Sequence, residues 1–157
     1  MPQSINKNVV SATIDRVLTK QRLISTKETK KRSDSWIGEL KIVTPSGGVP
    51  AQTLSGGNQQ RVVLAKWLST DPKILILNRP TVGVDIGSKA DIHSYARELA
   101  KRGMGVIIIS DDIPEVLENC NRVLLMKKGR IVENMPCEGL TSEMLTNLLG
   151  SSSLPGA

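Results

Sequence analysis

The stretch Leu54-Ser55-Gly56-Gly57-Asn58-Gln59-Gln60-Arg61 decides how this sequence is interpreted. It joins a loop rich in Gly, Pro and Ser, residues 44–57, to a segment with apolar residues at helical spacing, residues 58–68. Ser55 can cap such a helix, and paired glycines let backbone N–H groups approach a ligand closely. Because the positive end of the helix dipole then faces that ligand, the stretch predicts a phosphate site. A Ser-Gly-Gly turn alone is more often a plain helix start.

The segment that follows predicts alternating strands and helices. Two aliphatic runs of four residues, Ile74–Leu77 and Val106–Ile109, predict strands that are buried on both faces. The predicted elements are strands at 73–77 and 105–110, helices at 88–102 and 141–149, a helix start capped by Asp112, and a hairpin at 123–133. This order predicts an α/β fold with a parallel sheet. We expect a helical lobe at 1–70, an α/β portion at 71–150 and a disordered tail at 151–157.

The composition narrows the classes of function. The chain has 157 residues, 39% hydrophobic and 23% charged, which suits one globular domain. Its two cysteines form no disulfide framework and lack metal-ligand spacing. Aromatic residues are limited to Trp36, Trp67 and Tyr95. We therefore expect an aliphatic core and no nucleic-acid partner, since base stacking needs exposed aromatic side chains.

The net charge of +6 is concentrated at the start of the chain. Residues 1–32 hold eight Lys or Arg and two Asp or Glu, whereas the other 125 residues hold thirteen of each. A basic arm of this kind can contact phosphate or anionic lipid headgroups. The plainer interpretation is a solvated helical face.

The octet resembles the signature motif of the ABC ATPase family, in the form found in sugar importers. The resemblance continues through Pro80-Thr81, Gly83-Val84-Asp85-Ile86-Gly87 and RVLLMKKGRIVE, and covers roughly residues 1–149. It implies a partial P-loop NTPase sheet with an N-terminal helical lobe, similar to the C-terminal part of the second nucleotide-binding half of tandem sugar-importer ATPases.

In that family the nucleotide lies between two ATPase domains, and the signature of one faces the phosphate-binding loop of the other. The resemblance thus implies that nucleotide held by another chain is contacted by Leu54, Ser55, Gly56, Gly57 and Gln59. It also places Asp85 in a loop that contacts the other ATPase domain. A turn carboxylate is the alternative for Asp85.

The parts that would act on a nucleotide held by this chain are missing or changed. The family's phosphate loop, GxxxxGK[ST], is absent, because no Gly is followed by Lys. We expect the chain to begin just downstream of it. Where the family has Asp-Glu-Pro-Thr, the sequence has Asn78-Arg79-Pro80-Thr81. The resemblance puts Asn78 at the magnesium position, Arg79 at that of the catalytic Glu and Asp111 at that of the switch His.

These changes predict no catalytic residue and no metal ligand in this chain. An amide is a poorer ligand than a carboxylate for a hard cation, and a guanidinium cannot accept a proton. Arg79 could pair with a phosphate or make a local salt bridge. The one histidine, His93, is expected on the surface of its helix rather than in a site.

Two functions stay open beside a third, a basic arm that binds nucleic acid or a membrane surface, which the shortage of aromatic residues and the lack of a nucleic-acid motif disfavour. The first is a truncated or degenerate ATP-binding subunit of a carbohydrate importer that provides its signature in trans. Its cofactors, ATP and magnesium, follow from the resemblance alone and would not bind this chain by itself. Its partners would be another ABC ATPase domain or a second copy, and permease subunits at the cytoplasmic face of the cell membrane. The second is a remnant or interaction module with no nucleotide role, which would self-associate or be marginally stable.

Overall fold

The chain folds as two compact units. The computed structural model describes residues 1–150, so the predicted tail at 151–157 lies outside the described residues. The first unit comprises residues 1–75 and 80–106, and the second comprises, among the described residues, 76–79 and 107–150. The limits inferred from the sequence, 1–70 and 71–150, stay a prediction.

The first unit is mainly helical. Its buried apolar side chains, such as Ile5, Val9, Val62 and Ile92, are aliphatic, which confirms the predicted kind of core. Its helices are α1 (Ile5–Val10), α2 (Thr26–Glu39), α3 (Gly56–Leu68) and α4 (Ile86–Lys101), with short 3-10 turns at Ile14–Val17 and Ala51–Thr53.

Helix α2 is not among the elements expected from the sequence, because residues 27–34 are polar and mainly basic. Ser25 caps it by accepting a hydrogen bond from the backbone N–H of Glu28 at 3.2 Å. Its buried positions include Thr29 and Ser33. Because these inward residues are polar, the apolar periodicity that identifies a helix is missing from this segment.

Two strands, β1 (Ile74–Asn78) and β2 (Gly105–Ile109), pair in a two-stranded sheet. The backbone N–H of Gly105 donates to the carbonyl of Lys73 at 2.9 Å, and that of Arg79 donates to the carbonyl of Ile109 at 2.8 Å. Both strands therefore run in the same direction, as predicted for a parallel sheet.

The prediction that both strands are buried on both faces is wrong. Burial alternates along β1, where Leu75 and Leu77 are buried while Ile74 and Ile76 are 61% and 60% exposed. Along β2, Ile107 and Ile109 are about half exposed. Within residues 1–150 this sheet has two strands, so its isoleucine-bearing face lacks the cover that parallel sheets usually have.

The second unit contains the predicted hairpin. Strand β3 (Arg122–Lys127) pairs antiparallel with β4 (Arg130–Pro136), and both turn residues, Lys128 and Gly129, have positive φ. Helices α5 (Ile113–Asn119) and α6 (Ser142–Gly150) flank it in sequence. Asp112 caps α5 by accepting from the backbone N–H of Glu115 at 3.2 Å, which confirms the predicted cap.

Candidate functional site

The signature segment enters α3 through an exposed turn that side-chain amides hold in place. Gln59 donates from its side chain to the carbonyl of Leu54 at 2.8 Å. Asn58 donates to the hydroxyl of Ser55 at 2.9 Å, and its oxygen accepts from the backbone N–H of Val43 at 2.8 Å. Ser55 is the N-cap residue of α3, as the sequence allows, but its hydroxyl accepts from the Asn58 amide and makes no side-chain cap bond to the helix.

The start of α3 is electropositive and open. Ser55 and Gly56 are exposed, while Gly57 is buried. The helix has 13 residues and no acidic residue in its own first turn, so the positive end of its dipole is not compensated from within α3. The arrangement suits an anion approaching from outside the chain.

Both glycines of the signature allow a close approach of α3 to the segment between β1 and α4. A Cβ at Gly56 would lie 2.8 Å from the carbonyl oxygen of Gly83. A Cβ at Gly57 would lie 2.5 Å from the Cβ of Ser88 and closer still to its hydroxyl. Larger residues at either position would push the two segments apart.

Asp85 is the N-cap of α4. One of its carboxylate oxygens accepts from the backbone N–H of Ser88 at 2.9 Å, and the other accepts from the Ser88 hydroxyl at 2.8 Å. The Ser88 backbone bond, followed by its hydroxyl bond, holds the pKa of Asp85 below its ordinary value. Asp85 therefore acts as a carboxylate that caps a turn. It also stays charged and exposed, beside Ile86, which is 89% exposed.

These contacts place the signature and the Asp85 loop on one surface of the first unit. Gly56 meets Gly83, and Gly57 meets Ser88, which holds Asp85. We call this the signature surface and define it as Ser55, Gly56, Gly83, Asp85 and Ile86. The sequence interpretation missed Ser88, although an Asp followed three residues later by Ser at a helix start is a capping pattern that could have indicated it.

Arg61, the last residue of the octet, anchors α3 rather than facing a ligand. Its guanidinium contacts the carboxylate of Asp91 at 2.5 Å and the carbonyl of Lys41 at 2.8 Å. Its side chain is mostly buried, whereas that of Asp91 is exposed. The pair ties α3 to α4 and to the segment after α2.

In the second unit, the ends of β1 and β2 carry an ion pair. A guanidinium nitrogen of Arg79 lies 3.1 Å from a carboxylate oxygen of Asp111, and the side chains are 60% and 75% exposed. Arg79 has a φ of 48°, so it turns the chain sharply immediately after Asn78. The structure thus brings Asn78, Arg79 and Asp111 together. Of the two roles considered for Arg79, a phosphate contact and a local salt bridge, it shows the salt bridge.

The residues at these strand ends do not suit magnesium. The hard cation prefers carboxylate oxygens, but Asn78 offers an amide and its neighbour Arg79 carries a permanent positive charge. Within residues 1–150 no group of three or more His, Cys, Asp or Glu residues is placed to hold a metal. That the chain provides no magnesium ligand at this position stays a prediction.

His93 does not lie on the helix surface, so that prediction is wrong. It is only 5% exposed, next to Ile92 and one turn before Ala96 on the buried face of α4. The apolar spacing of α4 includes position 93, but the sequence interpretation relied on the preference of histidine for partly exposed sites and therefore placed His93 on the surface.

The two cysteines, Cys120 and Cys137, have thiols whose pKa is raised by burial. A raised thiol pKa suits packing residues better than reactive ones.

The family model described as ABC transporter matches residues 2–82. The ribose import ATP-binding protein of Agrobacterium fabrum is 41% identical over 92% of this chain, and the L-arabinose transport ATP-binding protein of Geobacillus stearothermophilus is 35% identical over 97%. The xylose import ATP-binding protein of Thermoanaerobacter pseudethanolicus is 39% identical over 90%. The chain spans only 29%, 29% and 28% of these three relatives.

Solved structures share the fold. A putative metal-chelate type ABC transporter in an inward-facing conformation aligns over 95% of this chain and 59% of its own, with a TM-score of 0.78 and 21% identity. A dimeric ATP-binding cassette with ADP and Pi aligns over 89% and 60%, with a TM-score of 0.71 and 22% identity. No helix among residues 1–150 is long and apolar enough to cross a membrane. The α/β fold is therefore that of an ABC cassette, and the chain belongs to the ABC transporter family; among its members it is similar to the sugar-import ATP-binding proteins named above.

Proposed function

We propose that this chain is the signature-bearing part of an ATP-binding subunit of a carbohydrate importer. Ser55, Gly56 and Gly57 contact the phosphates of an ATP held by another ATPase domain, and Leu54 and Gln59 shape the loop that presents them. Asp85 contacts that domain. The chain alone neither holds ATP with magnesium nor hydrolyses it.

The observation that carries the proposal is the signature surface. The positive helix start and the charged Asp85 loop lie side by side, are exposed, and are held in register by the Gly57–Ser88 approach. A surface for an anion in trans needs exposed N–H groups at a helix start that has no acidic residue in its own first turn, and α3 provides them. Asp85 suits a contact with a partner because its carboxylate stays charged.

The Arg79–Asp111 pair supports the absence of hydrolysis. A general base contributes about 10²–10⁴-fold to a rate, and a guanidinium cannot act as one. The Asp111 carboxylate is engaged by Arg79 and would repel a γ-phosphate.

The partners follow from the relatives and the fold. The named relatives import ribose, arabinose and xylose, so we propose a sugar of this kind as cargo. The other domain is an intact ABC ATPase domain or a second copy, and permease subunits hold the pair at the cytoplasmic face of the membrane.

Calorimetric titration of magnesium-ATP tests the proposal. The chain alone should give no binding heat, and a mixture with an intact ATPase domain should bind ATP more tightly than that domain alone. Ser55→Arg should abolish the gain, whereas Ser35→Arg, an exposed position on α2, should keep it. Tight binding by the chain alone, or an equal gain with Ser55→Arg, contradicts the proposal.

The second candidate is an interaction module without a nucleotide role. The exposed isoleucines of β1 and β2 favour it, because an uncovered apolar sheet face usually marks a contact with another polypeptide. In that case the mixture would form a complex whose ATP affinity equals that of the ATPase domain alone.

A further inference from the structure

A hairpin follows the first 3-10 turn of the first unit. Leu18 and Ile24 form an antiparallel bridge. The backbone N–H of Thr19 donates to the carbonyl of Leu23 at 2.8 Å, and that of Ser25 donates to the carbonyl of Val17 at 2.8 Å. The tip is therefore closed by backbone hydrogen bonds, and α2 begins directly after it.

Aliphatic side chains on this hairpin are exposed to solvent. Leu23 and Ile24 are 67% and 57% exposed, and Leu18 and Ile14 are also exposed. Single exposed leucines are common, but several on one short turn are not explained by packing within the described residues.

The same segment is strongly basic. Residues 18–31 comprise the hairpin and the first six residues of α2; we call this segment the basic hairpin, and it contains one acidic residue, Glu28. Its basic residues are Lys20, Arg22, Lys27, Lys30 and Lys31, all exposed. Outside residues 1–32 the positive and negative charges of the chain balance.

We infer that the basic hairpin docks on the anionic surface of a lipid bilayer. Exposed aliphatic side chains among lysines and arginines are the chemistry of an interfacial anchor, where the apolar groups enter the headgroup region and the cations meet anionic lipids. A partner helix needs an apolar groove, whereas the exposed Leu18, Leu23 and Ile24 of this segment lie on a tight turn and face outward. The inference is independent of the nucleotide role proposed above.

Co-sedimentation of the full chain with vesicles tests this. Vesicles of phosphatidylcholine with about a third phosphatidylserine should bind the chain, and pure phosphatidylcholine vesicles should not. Raising the salt from 0.1 to 1 M should release it, since screening then acts over about 3 Å instead of 10 Å.

Matched variants distinguish the effect of the hairpin residues on vesicle binding from the effect of the net charge of the chain. Lys20→Gln with Arg22→Gln should lower the partition coefficient about 30-fold. Lys101→Gln with Arg130→Gln removes the same charge from exposed sites elsewhere and should have little effect. Leu23→Ser should lower it about 10-fold, whereas Val43→Ser, at another exposed aliphatic position, should not.

Three results overturn the inference: equal binding to neutral vesicles, equal losses in the paired variants, or no vesicle binding by a chain that is folded by circular dichroism. Retention of such a chain on immobilised polyglutamate, without vesicle binding, would assign the surface to an acidic polypeptide instead.

Discussion

Replacing Gly57 with alanine tests whether the signature is held by its contact with α4. The new Cβ would lie 2.5 Å from the Cβ of Ser88, and a change of Ser88 rotamer cannot relieve a contact made by Cβ. Overpacking of this kind costs about 1–3 kcal/mol. Alanine in place of glycine in a helix gains about 0.5–1 kcal/mol. The difference between these ranges is a net loss of about 0–2.5 kcal/mol in the free energy of unfolding, with a midpoint of about 1 kcal/mol.

Urea unfolding followed by tryptophan fluorescence measures the change. Gly38→Ala is the control, because Gly38 lies in α2 with no atom within 4 Å of its added Cβ. That variant should be as stable as the parent or gain up to about 1 kcal/mol. Adding Ser88→Gly to Gly57→Ala removes the opposing side chain and should recover part of the loss, so the two changes should not be additive. A Gly57→Ala chain at least as stable as Gly38→Ala would refute the reasoning.

Three further predictions follow from the structure. Removing both Arg79 and Asp111 by alanine substitution should change the free energy of unfolding by less than about 1 kcal/mol, because exposed ion pairs contribute little, and a double-mutant cycle in urea measures it. The pKa of Tyr95 is raised by burial and, to a lesser extent, by its hydrogen bond to Glu39. At alkaline pH we therefore expect the absorbance of tyrosinate to appear only when the chain unfolds. The contribution of Tyr95 to stability should be full below the ordinary tyrosine pKa and should fall as the pH rises above it. Ile107→Thr should reduce self-association measured by sedimentation velocity, since Ile107 lies on the exposed sheet face; unchanged association would place the contact elsewhere.

Local patterns predicted the elements that glycine, proline and caps delimit. The hairpin around Gly129, the strand of residues 73–77 and the cap at Asp112 all follow from such local chemistry. Helix α2 was missed because its inner face carries Thr29 and Ser33, which give no apolar period.

Contacts between distant residues could not be predicted in the same way. The approach of Gly57 to Ser88 depends on how α3 packs against α4, which no local spacing encodes. Similarly, an apolar run predicts a strand but does not show which face is covered, so the exposed Ile76 was not foreseen.

One complementation assay tests the central claim most directly. An ATPase domain with an intact phosphate loop and a signature serine replaced by arginine is mixed with this chain, and ATP turnover is measured. The account predicts turnover in the mixture, none from either protein alone, and none when the chain carries Ser55→Arg. No turnover with a folded chain, or turnover that survives Ser55→Arg, would contradict a signature acting in trans.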